Sequence, residues 1–310
     1  MPPRVRQHLA RYGAIVALAT GCDRPPPNPY EHAGPYAQLA LGGTHTCARK
    51  ASGNLACWKF GRLAEAPIPS GRFLQVSASS SHACAVRDDH RIACWGACST
   101  GSCAAPAGSF VSVSVDGRSC GLDTTGTVQC WGQRAVNPPG VFRQIDAGPL
   151  AVCGVTVDDD VHCWGVLSFT PMSPGVVPHA TSLKPPAVVR GNALQVSVGK
   201  AHACALLMTG RVVCWGDNHA GQTVVPRGAY RAVVAGRDRS CGLTTRGEVV
   251  CWGSPITWMH KTYVPPAGPF VEVDLGDSHA CARRSNGAVV CWGVDQQSQV
   301  SGERWMLIRN

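Results

Sequence analysis

Apolar and polar side chains alternate with a period of two in four segments: Phe73-Leu-Gln-Val-Ser-Ala, Phe110-Val-Ser-Val-Ser-Val, Ala193-Leu-Gln-Val-Ser-Val and Phe270-Val-Glu-Val-Asp-Leu. This period predicts strands. Each segment runs into two cysteines ten positions apart, and the second always precedes Trp. The pairs are Cys47 and Cys57, Cys84 and Cys94, Cys120 and Cys130, Cys153 and Cys163, Cys204 and Cys214, Cys241 and Cys251, and Cys281 and Cys291. Their tryptophans, Trp58, Trp95, Trp131, Trp164, Trp215, Trp252 and Trp292, are spaced 37, 36, 33, 51, 37 and 40 residues apart. One interval therefore carries an insertion, between Val166 and Arg190. Gly42, Gly148, Gly199, Gly236 and Gly276 each stand five before a first Cys and mark a turn into the Cys pair.

The stretch between paired cysteines predicts a hairpin. In the third unit the midpoint is Thr125, which gives a three-residue loop, 124–126. Such loops usually end on a residue with positive φ. The sixth position after the first Cys is Gly53, Gly126, Gly210, Gly247 or Gly287 in five units, and His90 or Asp159 in the other two. Counting back from the loop pairs 122 with 128, 121 with 129 and Cys120 with Cys130. The last is a non-hydrogen-bonded pair, with a Cα separation of about 4.5 Å, within disulfide reach. Each unit is thus expected to staple its own hairpin, against the alternative of unbridged cysteines as small core residues. Units of about 40 residues, each of at least three short antiparallel strands and repeated seven times, are what a β-propeller needs. The expected fold is all-β, a seven-bladed β-propeller over residues 37–310 with one Cys-x9-Cys hairpin per blade.

The run Val196-Ser-Val-Gly199-Lys-Ala-His202-Ala-Cys204, continuing through Gly210 to Cys214-Trp215-Gly216-Asp217-Asn218-His-Ala-Gly221-Gln222, resembles the repeat of the regulator of chromosome condensation family. Only this unit keeps the Trp-Gly-Asp-Asn-x-x-Gly-Gln piece whole. The resemblance covers residues 37–293 and implies seven blades. It looks like the bacterial branch, and in repeat length it is similar to the superfamily of the beta-lactamase inhibitor protein II. What it implies for function ranges from nucleotide exchange on small GTPases to inhibition of secreted enzymes, and fold alone does not choose among these.

Composition removes other classes. An apolar content of 45% with 15% charged residues is unlike a disordered chain, and 35 Gly with 23 Pro is unlike a long-helix protein. The front of the chain reads as an export signal. Arg4, Arg6 and Arg11 precede the short apolar run 13–19, and Ala19-Thr20-Gly21-Cys22 follows the form of a lipoprotein processing site except for Ala at 19, where Leu is usual. Residues 1–21 are then a signal peptide, Cys22 the lipidation site, and 22–36 a Pro-rich tether; ordinary cleavage nearby is the alternative. Loss of the three arginines leaves a net charge of +6, with no dense basic patch of the kind nucleic acid requires. Cys98 and Cys103 are expected to bridge each other. With the seven hairpin pairs they account for 16 of the 17 cysteines, and Cys22 is left over.

No catalytic motif is present, and neither a metal site nor a cofactor is expected. His-x-Cys occurs at His45, His82, His202 and His279, but Arg118, Ala151 and Arg239 stand there in the other units. A structural role, with the imidazole bonded to neighbouring backbone, is expected. Trp258 and Tyr263 in the sixth connector and Phe169 in the insertion are candidate interface anchors; the competing reading is that they cover the rim of the core. Trp305 is expected in a final strand closing the ring. The whole predicts a monomeric, exported, lipid-anchored module of the cell envelope or exterior that binds a protein or glycan without catalysis. The alternatives are a secreted enzyme inhibitor and, more remotely, an exchange factor.

Overall fold

The computed structural model describes residues 31–32, 34–43, 45–59, 67–98, 101–133, 135–165, 183–258 and 261–294. The signal, Cys22, Phe169 and Trp305 lie outside them. The described residues form seven three-stranded antiparallel units arranged as the blades of a propeller. Blade 2 shows the plan: an inner strand Phe73–Ala78, a middle strand His82–Arg87 and an outer strand Ile92–Gly96. Inner strands from all seven blades line one axial channel. In blade 7 the outer strand Val289–Gly293 gains a fourth strand, Glu31–His32, so residues from before blade 1 complete the last blade. Those two residues fall within the segment read from the sequence as tether.

The hairpin register is the one the loop length dictates. Cys120 pairs with Cys130, Gly121 with Gln129 and Leu122 with Val128. Every Cys pair is bridged within its own hairpin: Cys47 to Cys57, Cys84 to Cys94, Cys120 to Cys130, Cys153 to Cys163, Cys204 to Cys214, Cys241 to Cys251 and Cys281 to Cys291. Each has a Cα separation of 4.0 Å, shorter than the 4.5 Å or so expected of an unbridged pair at this register. Cys98 is bridged to Cys103. The two ends of a staple differ in burial. The middle-strand cysteines are all enclosed, whereas Cys57, Cys94, Cys130, Cys163, Cys214 and Cys251, on outer strands, are half-buried. Cys291 is the exception: it is buried, on the one outer strand that another strand covers among the described residues. Positive φ falls at the third loop residue in every hairpin, from +61° at Asp159 and +65° at His90 to +92° at Gly53.

The inner strands depart from simple alternation. A bulge between Phe73 and Gln75 recurs at the same place in blades 1 to 6. It turns Leu74 outward and leaves Phe73 and Val76 both buried. Strict period two would have placed Leu74 and Val76 together; the extra residue of the bulge resets the face.

The apolar core is divided into seven clusters, each spanning two neighbouring blades. Cys84 and Val86 of blade 2 pack with Phe110, Val113 and Trp131 of blade 3, and the same combination recurs around the ring. Burying such an aromatic side chain contributes about 2–3 kcal/mol per interface. Blade 5 breaks the rule with Ala193 in the aromatic position. There Leu183 and Val189, both buried, join the cluster, so the insertion ahead of blade 5 returns the volume that Ala193 lacks. The tryptophans fasten the same interfaces. Indole N–H groups of Trp131, Trp215 and Trp252 donate to the carbonyls of Ser102, Leu183 and Gln222, each in the preceding blade's connector.

The candidate binding face and axial channel

Because middle strands start where inner strands end, the seven turns between them collect at one mouth of the channel. Outer strands return to the same end, so every connector leaves from this face. The cavity at the mouth, about 300 Å3, shares Leu41, Ala78, Asp116, Val198, Ala235 and Leu275 with the channel below it.

Two ladders of side-chain bonds build the channel wall. Gln75 Oε1 accepts the N–H of Val113 at 2.8 Å while its Nε2 donates to the Val113 carbonyl at 2.9 Å. Gln38, Gln144 and Gln195 grip Val76, Val196 and Val233 of the following blade in the same way. Glu272 closes the circle by accepting from Leu39 N. Ser112 and Ala232 stand at this position in blades 3 and 6 and make no such bond among the described contacts. Two residues on, Ser77, Ser114 and Ser197 accept from Val115, Ala147 and Ala235, whereas Asp146 accepts from Val198 at 2.7 Å and Asp274 from Leu41 at 2.8 Å.

The turn that follows begins with Gly42, Ser79, Asp116, Gly148, Gly199, Gly236 and Gly276 in blade order. Glycine is required at most of these by close approach. A Cβ on Gly199 would lie 2.2 Å from the Gly236 carbonyl, and one on Gly42 would lie 2.1 Å from the Ser79 carbonyl. Blade 3 escapes this because its turn is one residue shorter: Asp116 N bonds Arg118 O, where Ser79 N bonds His82 O. That leaves room for a carboxylate at the mouth. Asp116 is half-buried, lines both the mouth cavity and the channel, and accepts no hydrogen bond among the described contacts. Burial, with Asp277 and Asp146 nearby, pushes its pKa up to about 8. Burial also raises Asp274 to about 7 and Asp146 to about 6, the latter against the bonds from Val198, Ser197, Ser114 and Ala147. Lys200 and Arg237 line the same mouth from blades 5 and 6.

Three of the four His-x-Cys histidines meet a hydroxyl of the next blade. His82, His202 and His279 Nε2 lie 2.8 Å from Ser119 Oγ, Ser240 Oγ and Thr46 Oγ1. Ser119 and Ser240 spend their own protons on the Ser102 and Gln222 carbonyls, so His82 and His202 donate through Nε2. Burial holds both imidazoles neutral, with pKa values lowered to about 4. The sequence carries a signal for this pairing. The residue after the histidine position is Thr46, Ser119 or Ser240 where the preceding blade supplies His279, His82 or His202, and Val152, Ala203 or Ala280 where it supplies Arg118, Ala151 or Arg239. His45 is the exception, with Ala83 at that place in the next blade. Among the described residues no three His, Cys, Asp or Glu side chains are grouped to hold a metal ion.

Of the three aromatic anchors, Trp258 and Tyr263 fall on a two-stranded hairpin, Ile256–Trp258 paired with Lys261–Tyr263, in the connector that leaves the mouth face after Gly253. The structure brings these two positions to one short hairpin and leaves Phe169 outside the described residues. The axial carboxylates, by contrast, were not singled out in the sequence, although Asp116 is legible there as an acid where other repeats have Gly or Ser.

The sequence model for the Regulator of chromosome condensation (RCC1) repeat matches residues 73–100, 194–222, 230–255 and 270–299, within blades 2, 5, 6 and 7. Among solved structures, the CRINKLY WD40 ectodomain of the Arabidopsis thaliana receptor kinase ACR4 is similar at 21% identity and a TM-score of 0.68, over 86% of this chain and 98% of that one. The entire ectodomain of the Physcomitrella patens receptor kinase CR4 is also 21% identical, with a TM-score of 0.65 over 82% of this chain and 71% of that one. Prp20p from Saccharomyces cerevisiae is 16% identical, with a TM-score of 0.63 over 87% of each chain. These likenesses are of fold. The chain is a seven-bladed propeller that carries regulator of chromosome condensation repeats in four places.

Proposed function

We propose that this chain is an exported, non-catalytic binding module, held at the cell envelope by a lipid on Cys22, whose mouth face engages a partner protein or glycan. Residues 1–21 leave as the signal, and the proline-rich stretch from 22 spaces the ring from the membrane. One observation carries the reading. The repeats agree where they build blades and differ where they meet solvent at the mouth: the second turn residue is Gly43, Ser80, Gly117, Pro149, Lys200, Arg237 or Asp277. A purely structural ring has no need of such variety there. Eight disulfides within one chain fit an oxidising compartment and sit badly with exchange on a cytosolic GTPase, although Prp20p is described together with its binding to Gsp1p and histones. The receptor ectodomains of the same fold keep the extracellular reading company.

The test is affinity capture from envelope extracts on the full chain, compared with Lys200→Glu/Arg237→Glu and Trp258→Ala/Tyr263→Ala forms of unchanged melting temperature. Partners held by the wild type should be lost from at least one variant. Identical capture by all three would sink the mouth-face assignment. Palmitate labelling that survives Cys22→Ser would remove the lipid anchor.

A further inference from the structure

The face opposite the mouth, the base of the ring, collects the exposed apolar side chains. Inner strands start there, and the second residue of each stands around the lower entrance of the channel. In blades 2, 3, 5 and 7 it is Leu74, Val111, Leu194 and Val271, exposed by 37–45%. The bulge is the cause in blades 2, 3 and 5, because burying the residues on either side of it leaves the second one facing away from the core. Arg143 and Arg231 take this place in blades 4 and 6 and donate to the Leu194 and Phe270 carbonyls of the next blade, so that they complete the collar. Val157 and Met208 stand at hairpin tips on the same face, and Val141 lies against the hairpin loop of blade 3. Seven of the eleven large hydrophobic side chains left exposed among the described residues are therefore on the base, and none lines the mouth. Apolar exposure gathered on one face marks a surface that meets something other than water.

Charge divides the two faces as well. Along the hairpin tips and the starts of the inner strands nine cations are exposed, Arg72, Arg227 and Arg246 among them, against four exposed acids, Asp88, Asp89, Asp158 and Glu248. The other acids of the base are held from within: Asp123 accepts from Thr125 and Thr127, Asp159 pairs with Arg143, and Asp160 accepts the Gly191 N–H. At the mouth, by contrast, Lys200 and Arg237 are matched by Asp116 and Asp277. The tether joins the ring close to the base. Glu31 and His32 pair with Val290 and Val289, the residues of the blade 7 outer strand nearest its hairpin tip. Cys22 stands nine positions earlier, within about 28 Å of that point even if the proline-rich stretch is fully extended.

We propose that the base lies on the surface of a bilayer containing anionic lipid, with its cations on the headgroup phosphates and Leu74, Val111, Leu194 and Val271 entering the boundary of the acyl chains. Apolar side chains interspersed with unmatched cations are the mixture that such a surface attracts. Charge argues against a second copy as the occupant, since base against base would set the same nine cations face to face. On the bilayer the ring turns its mouth outward, toward partners. The inference rests on the proposed export and lipid anchor for its access to a membrane, and the base is independent of the mouth.

The test uses the oxidised chain from residue 22 with Cys22→Ser, which keeps the whole ring from Glu31 onward and carries neither signal nor lipid. It is sedimented with vesicles of phosphatidylglycerol and phosphatidylcholine in equal parts, and with vesicles of phosphatidylcholine alone. Binding to the anionic vesicles should be stronger by about tenfold or more and should fall with added salt. Arg72→Glu/Arg246→Glu should weaken it by about tenfold or more, and Leu74→Asn/Leu194→Asn by about threefold or more. Lys200→Glu/Arg237→Glu reverses as many charges at the mouth, a strand length of about 20 Å away, and should bind these vesicles within about twofold of the parent chain because salt screens that distance. Equal binding to both kinds of vesicle overturns the proposal without recourse to any variant. So does undiminished binding by both base variants at unchanged melting temperature, or an equal loss from the mouth variant. Self-association in solution that Leu74→Asn/Leu194→Asn abolishes would also overturn it, since a second copy would then cover the base. Because this chain lacks the lipid, a negative result leaves palmitate labelling and mouth-face capture standing, and their failure leaves vesicle binding standing.

Discussion

Replacing Asp116 by Asn should flatten the dependence of stability on pH above neutrality. In the folded ring its carboxyl ionises near pH 8, because burial and the facing acids Asp277 and Asp146 oppose the charge. In the unfolded chain it ionises near 3.9. Between those values the native state holds a proton that the unfolded state has released, so stability declines as pH rises through the window. The contribution is complete below about pH 4 and gone above about pH 8. Each pH unit inside the window costs at most about 1.4 kcal/mol. The side chain keeps some surface open to the channel, and Lys200 and Arg237 share the mouth, so the full amount is not reached; about 2 kcal/mol between pH 5 and 9 is reasonable. Asp274 and Asp146 act in the same direction at lower pH. His82 and His202, lowered to about 4, act oppositely, but only below the unfolded value near 6.5. Urea midpoints at fixed ionic strength from pH 5 to 9 make the measurement. Asp116→Asn should lose less stability than wild type across that range and exceed it at pH 9. Parallel curves would refute the assignment of Asp116 as a neutral, enclosed acid.

Three further outcomes follow from the ring's own contacts. Gln75→Ala removes both bonds to Val113 and should cost about 1–2 kcal/mol by chemical denaturation, whereas Ser112→Ala, at a position that makes no such clamp, should be near neutral. Ser119→Ala leaves the His82 Nε2 donor without its acceptor and should cost about 1–3 kcal/mol, with a double-mutant cycle to His82→Ala recovering most of the loss. Gly126→Ala places a side chain at φ +83°, with its Cβ 2.5 Å from Val141 Cγ1, and should destabilise by about 1–2 kcal/mol, read as a lower melting temperature with the disulfides intact.

The hairpins were legible because each is a local device. The ten-position spacing of the cysteines fixes the loop at three residues, the loop fixes a positive φ at its third place, and that φ selects Gly at 126 and admits His90 and Asp159. The inner strand was harder. Its bulge has no residue signature of its own, so the period of two does not by itself put Phe73 and Val76 on the same buried face. The Gln clamps depend on the neighbouring blade, and a residue such as Gln75 reads as a polar strand position until the ring sets Val113 beside it. The histidine was foreseen as structural and its partner misjudged, for the same reason: the hydroxyl it meets belongs to another repeat, as Ser119 does for His82.

Departures from the common repeat occur around the ring: Ser79 for Gly in blade 2, Ala193 for the aromatic in blade 5, Ala232 for the Gln clamp and Arg239 for His in blade 6, and Asp274 in the channel wall of blade 7. Blade 3 has Ser112 in place of the Gln clamp, Asp116 in place of Gly and Arg118 in place of His, and blade 4 has Asp146 in the channel wall and the half-buried Trp164. What sets blade 3 apart is length rather than substitution. Its turn is one residue shorter, which brings Asp116 to the mouth, and the connector after it is four residues shorter than those that follow Trp95 and Trp215. A substitution changes one side chain at a fixed place in the blade, whereas a deletion moves backbone, so these two places change the shape of the ring where the other departures change only its chemistry.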